Sequence, residues 1–317
     1  MRLKSIFHSS IVILSLFVSI NASAEEAVAT LSVQESFELV MEAYENKNWK
    51  GLETQSALLI KDYPSTAFGL EARYFLGTAY FNLKEYEAAN EQFSLYLKSQ
   101  ATPKHFEDAI QYKFSIAELY KAGEKKHLLG FESMPKWMPA RQDAIKIYEE
   151  VIAALPHHEL GAKALFGKAV VLFKQQEYKS SIETYQTLIR RFSKHQLAAE
   201  SYVGIGEIYL TQCSQEYPDP DFLDLAQINL NKFKVDFPSD ENIAHLETKL
   251  IGMKEVYAQS LYETAQFYER TKKPHASLIY YTQLIAKYPE TKLAALSKKR
   301  QAVLEPVVKA NKEKAAK

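Results

Sequence analysis

The chain has 317 residues, of which 47% are hydrophobic and 25% charged, with 39 basic against 39 acidic side chains. This ordinary globular composition excludes a disordered chain and a disulfide-stapled miniprotein, and the zero balance leaves no basic excess for nucleic acid. There are only ten glycines and as many as twenty tyrosines; scarce glycine argues against turn-rich β folds and Gly-rich loops, and the tyrosines require a use.

Met1 to Ser5 carries Arg2 and Lys4, an apolar stretch is densest from Ile11 to Ile20, and Ala22-Ser23-Ala24 precedes Glu25-Glu26. A basic start, a short apolar core and an A-x-A site predict a signal peptide over residues 1–24, with Ala22 and Ala24 in the small pockets of a signal peptidase. The apolar core is short for a spanning helix. Its removal leaves 37 basic against 39 acidic residues. The expected location is therefore outside the cytoplasm. Cys213 is the only cysteine, so an internal disulfide is excluded, and it reads as an ordinary helix-end residue.

The rest of the chain repeats. A first, weaker unit starts near Val33 and runs through Trp49 and Leu52 to Pro64. The second is the clearest. Ala72, Phe75, Leu76, Ala79, Tyr80 and Leu83 mark one helix face, Lys84-Glu85 breaks it, and Tyr86, Ala89, Phe93, Tyr96 and Leu97 mark another. Leu76-Gly77, Tyr80, Ala89 and Phe93 reproduce the core of the 34-residue tetratricopeptide unit. The third has Ile116-Ala117 and Tyr120, then Ala144, Tyr148, Val151 and Pro156. The fourth has Ala169, Leu172, Tyr178, Ser181, Tyr185 and Leu188. Tyr202, Ile205-Gly206, Tyr209, Ala226, Leu230, Phe233 and Pro238 form the fifth, and Leu261, Ala265, Tyr268, Ser277, Tyr281, Leu284 and Pro289 the sixth. A closing amphipathic helix over 292–304 fits the cap a solenoid needs, and 305–317 reads as a flexible basic tail.

One hairpin cannot bury its own apolar face, so neighbours must stack. The expected fold is all-α: a right-handed tetratricopeptide superhelix of about six hairpins over 25–304, with halves 33–156 and 157–304. Two insertions interrupt it, residues 121–140 inside the third unit and about eight residues near Ser214 to Asp221 in the fifth. Residues 250–270 read as one unusually long helix.

The order of motifs is more particular than the repeats. Asp62-Tyr63-Pro64-Ser65-Thr66 is followed by the long third-unit insertion and by Arg190-Arg191-Phe192-Ser193. Then come Ala258, Leu261-Tyr262, Ala265 and Phe267-Tyr268, and finally Ala286-Lys287-Tyr288-Pro289-Glu290-Thr291 before the closing helix. Over roughly residues 33–304 this resembles the outer-membrane assembly lipoprotein family called BamD, YfiO or ComL. The resemblance implies a non-enzymatic periplasmic scaffold at the inner face of the outer membrane, binding barrel-assembly subunits and unfolded barrel clients. Members carry a lipid-modified cysteine at the mature amino terminus, where this chain has Ala24-Glu25. Membrane association is thus expected through partners. Another periplasmic tetratricopeptide adaptor, coordinating peptidoglycan synthesis or envelope constriction, shares every general feature.

The candidate binding surface is the groove lined by the first helix of each unit. Its fifth positions are Phe37, Tyr74, Phe114, Phe166, Val203 and Tyr262; its twelfth are Tyr44, Phe81, Lys121, Phe173, Leu210 and Glu269. Aromatics there would suit an extended apolar peptide, although rings at helical spacing also belong to cores. Phe131, Met134, Trp137 and Met138 in the insertion either fold back or meet a partner. No cofactor or metal is expected. Asp219-Pro220-Asp221 with Asp224 lacks the pattern of a calcium loop, His157-His158-Glu159 is not H-E-x-x-H, Gly204-x-Gly206 falls inside a helix, and no G-x-S-x-G occurs.

Overall fold

The structure, a computed structural model, describes residues 31–99, 101–128, 134–214 and 221–315. The signal-peptide reading, with Ala22 and Ala24, lies outside the described residues, as does Phe131.

The described residues form thirteen α-helices and one small ribbon. They are α1 (Val33–Glu45), α2 (Trp49–Asp62), α3 (Ala67–Asn82), α4 (Tyr86–Ser99), α5 (Phe106–Ala122), β1 (Lys125–His127), β2 (Lys136–Pro139), α6 (Arg141–Ala154), α7 (Glu159–Lys174), α8 (Tyr178–Arg191), α9 (Gln196–Cys213), α10 (Asp221–Asp236), α11 (Asn242–Arg270), α12 (Pro274–Lys287) and α13 (Lys292–Ala315). Helices α1 to α12 pair into six hairpins, and α13 closes the stack, as the repeats require.

The helix starts are written in local chemistry. Ser32 and Glu35 make a reciprocal capping box at α1. Asn48 and Thr66 accept from the first-turn amides of α2 and α3, and His158 and His195 cap α7 and α9 through Nδ1. Each caps donors that the first turn leaves without helical partners. Within four hairpins, a single residue in the left-handed region turns the chain: Lys47, Lys84, Gln176 and Lys272, with φ between 53° and 66°.

Packing follows the hairpin order. Besides their sequence neighbours, the first helices touch along the stack, α1 with α3, α3 with α5, and onward to α11 with α13. The second helices come less close to one another, so the first helices lie on the inside of the curve. The core is correspondingly distributed. Val40, Leu52, Phe75, Phe93, Ile116 and Tyr148 are buried in the first half; Tyr202, Leu230, Phe233, Leu246 and Leu284 are buried in the second.

Three boundaries differ from the sequence reading. The long helix α11 begins at Asn242 rather than near 250, because Leu246 and Leu250, one turn apart, are both buried. The insertion over 121–140 is not a plain loop: α5 continues to Ala122, and β1 and β2 pair antiparallel, Lys125 opposite Pro139 and Lys126 opposite Met138. Residues 305–315 of the basic segment are not a free tail, since α13 continues to Ala315. Val308 lies one turn beyond Leu304 on the same face and is equally buried, and the Lys, Ala and Glu residues that follow it favour helix. Pro306 lacks one backbone donor, yet the helix runs on through it.

Candidate functional site

The eight aromatic residues assigned to the groove all sit on first helices, but their rings do not form an open stripe. Tyr74 is a core residue, 4% exposed, stacked on the His105 ring at 4.2 Å. Burial, then the neighbouring Tyr112, pushes its hydroxyl well above the usual tyrosine range. The groove assignment is therefore wrong for Tyr74: His105 begins the next hairpin and closes over it.

The other seven rings are half-buried at seams between helices. Phe37 lies 4.6 Å from Phe68 and Tyr44 5.1 Å from Phe75. Phe81 meets Tyr112 edge-on at 4.9 Å. Phe114 packs on Tyr148, Phe166 on Tyr185, and Phe173 on Tyr178, at 6.1, 5.5 and 6.0 Å. Tyr262 lies 5.6 Å from Tyr281. Phe37, Tyr44 and Phe81 thus meet a ring of the next hairpin, whereas Phe114, Phe166, Phe173 and Tyr262 meet one on the second helix of their own. Tyr262 also lines an open cleft with Gln266, Glu269, Arg270 and Arg300. Of the remaining groove positions, Leu210 is buried, Val203 is half-buried, Lys121 pairs with Glu118 at 2.5 Å, and Glu269 pairs with Arg300.

Polar ties set the spacing of these seams. Tyr148 donates to Glu118 at 2.5 Å and Tyr202 to Asp236 at 2.5 Å. Tyr281 donates to Glu269 at 3.2 Å; burial and then that carboxylate push the Tyr281 hydroxyl up to about 12. Lys113 is a buried lysine, with its ammonium 2.7 Å from Asn90, 2.6 Å from Ser94 and 2.6 Å from Glu150. Burial lowers its proton affinity, and Glu150 opposes that shift. Sequence reasoning passed over Lys113, since a single lysine on a helix reads as a solvated charge.

The ribbon holds the second group of candidates. Trp137 is 66% exposed and Met134 41% exposed, whereas Met138 is half-buried. Its inner side is polar: His127 is buried against Glu85, and Lys136 reaches the α3–α4 turn. His127 was not singled out by the sequence, because its partners lie about forty residues upstream.

The motifs expected to be inert take structural places. His158 caps α7, Asp221 starts α10, Gly204 and Gly206 lie inside α9, and Cys213 is the buried last residue of α9. Among the described residues, no group of three or more His, Cys, Asp or Glu is placed to hold a metal.

Stacked hairpins joined by a seam of first helices, with aromatic edges and a side ribbon at the surface, define a tetratricopeptide-repeat protein, a scaffold for protein interaction. A comparison with family models matches residues 139–317 to YfiO, described as an outer membrane lipoprotein. The match spans more than half of the sequence, from the end of β2 through α13, and the chain belongs to this family. No curated protein matches the sequence.

Similar solved structures include a TPR repeats protein from Bacteroides fragilis, at 14% identity and TM-score 0.49, covering 71% of this chain and 100% of that one. A tetratricopeptide repeat protein from Parabacteroides merdae is 12% identical, with TM-score 0.39 over 86% of this chain and 98% of that one. A thermophilic TPR protein from Thermus thermophilus is 16% identical, with TM-score 0.33 over 69% and 100%.

Proposed function

We propose that this protein is an exported, non-enzymatic scaffold of outer-membrane β-barrel assembly, which binds assembly subunits and extended, unfolded barrel clients in the periplasm. The family match over 139–317 carries this reading. The half-buried edges of Phe37, Tyr44, Phe81, Phe114, Phe166, Phe173 and Tyr262 support it, because flat rings give large apolar contact for few frozen torsions. Attachment to the inner face of the outer membrane runs through protein partners in this reading: the one cysteine, Cys213, is buried inside the stack, and no helix among the described residues is long and apolar enough to cross a membrane.

Affinity capture from envelope extract tests the proposal. A barrel-inserting protein should be recovered, and Phe173→Ala with Tyr262→Ala should reduce capture of an unfolded barrel peptide at least severalfold. Recovery of cell-wall synthesis or constriction proteins alone would instead make the chain an adaptor of that machinery.

A further inference from the structure

The ribbon between α5 and α6 folds back across the turn that joins α3 to α4 in the preceding hairpin. Its ties are specific. The His127 backbone N–H donates to Glu87 Oε2 at 2.8 Å. The Lys136 ammonium donates to the Lys84 carbonyl at 2.6 Å and to Glu85 Oε1 at 3.2 Å. The His127 ring then bridges two oxygens, with Nε2 2.7 Å from Glu85 Oε2 and Nδ1 2.5 Å from the Met134 carbonyl.

Both partners of the ring are acceptors. A backbone carbonyl cannot donate, and the Glu85 carboxylate already receives the Lys136 ammonium. A neutral imidazole carries one N–H and can serve only one of the two; the imidazolium serves both. Loss of either ring proton sets a nitrogen lone pair against an oxygen lone pair at hydrogen-bond distance, at a histidine side chain that is only 10% exposed beside a partly exposed carboxylate. We propose that the ribbon is a proton-operated strap, clasped to the α3–α4 turn by doubly protonated His127 and released when that ring loses a proton.

Of the charges that act on the ring, Glu85 favours its protonated form and Lys136 opposes it. Glu85 and Lys136 face it directly, and Glu87 on α4 holds its backbone. Lys126 on β1 pairs with Asp143 on α6 at 2.7 Å. Lys136 also lies over the Tyr86 ring at 5.9 Å, Tyr120 of α5 lies within the field of Glu85, Glu87 and Asp143, and Glu124 acts on Tyr86.

The Met134 carbonyl and then Glu85 raise the His127 proton affinity above its ordinary 6.5. A raised histidine stabilises the docked state fully below 6.5, and that contribution disappears as pH climbs through the docked value. Burial alone would raise Glu85, but hydrogen bonds from His127 and Lys136 hold it below its ordinary 4.5. Its contribution is complete above 4.5 and is lost as pH falls through the lower docked value. The strap is therefore tightest between about 4.5 and 6.5, the ordinary values of the two groups.

Nitrogen NMR of the full chain tests this. At pH 5.5 both His127 ring nitrogens should be protonated, and the ring should titrate above 6.5 together with the ribbon amides of Lys126 and Trp137. The Glu85→Gln variant should lower the ring's midpoint, and His127→Gln should abolish the coupled amide titration. A neutral His127 tautomer at pH 5.5, or ribbon amides that titrate unchanged in His127→Gln, would overturn the strap. Far-UV circular dichroism checks that both variants keep the fold, and the wild-type titration decides the matter without them.

Discussion

Gly77 has no room for a side chain, since a Cβ there would lie 2.9 Å from the Phe93 ring. Gly167 and Gly204 repeat the device between hairpins, third to fourth and fourth to fifth: a Cβ would meet the Tyr148 or Tyr185 ring at 2.6 or 2.7 Å. Small residue against large ring sets the helix separation in three places, which explains both a low glycine count and the firm use of those few. Gly77→Ile should cost about 1–3 kcal/mol by overpacking, read as a lower midpoint in chemical denaturation; an unchanged midpoint would contradict the packing. Tyrosine is abundant because it fills a seam with its ring and ties the seam with its hydroxyl, as Tyr148 and Tyr202 do. Of the tyrosines at repeat-core positions, Tyr120, Tyr148, Tyr185 and Tyr281 are buried, and so is Tyr74, which was assigned to the groove. Spacing along α3 shows which face a ring occupies, but not that His105 closes over it.

At the scale of elements, the hairpins were legible because an apolar face at helical spacing survives in every unit, whatever the neighbours do. The ribbon was not: strands of three and four residues are too short for alternation to register, and the ties that hold them to the fold reach another hairpin. The end of α13 was hidden by its charge, because a run of lysines reads as tail until Val308 is seen to be buried. The turns show a regularity of their own. Four of the six hairpins close on one left-handed non-glycine residue, and the third, which carries an insertion, instead ends α5 on the left-handed Gly123. A non-glycine residue in that region costs roughly 1–2 kcal/mol. Gln176→Gly should therefore raise stability by about 0.5–1 kcal/mol, net of the greater freedom of glycine in the unfolded chain, and thermal unfolding of the purified variant measures it. No gain in midpoint would mean that the turn is set by its neighbours rather than by φ.

For the molecule as a whole, stability is a sum over neighbouring hairpins. The cap α13 covers α12 and is fixed by Glu255 of α11, whose two oxygens accept the Lys292 and Leu293 amides at 2.9 and 3.0 Å. Deleting residues 292–317 should strip hydrogen-exchange protection from α11 and α12 while α1 to α4 keep theirs. Uniform loss along the chain would mean a single cooperative core instead. The family match begins at Pro139, where the ribbon ends, so the match and the remainder of the chain meet within the third hairpin.

The joint between the second and third hairpins is tied twice. At one end Lys104 and His105 reach Glu71 at 3.0 and 3.1 Å, and the Tyr96 hydroxyl accepts the His105 amide. At the other end the ribbon crosses to the α3–α4 turn. A solenoid that wraps a long client behaves as a spring, and its compliance is the sum of its joints. Opening the His127 clasp would return one more coil to the spring, so acidity would tune how far the molecule stretches without touching the aromatic seam proposed to bind a client.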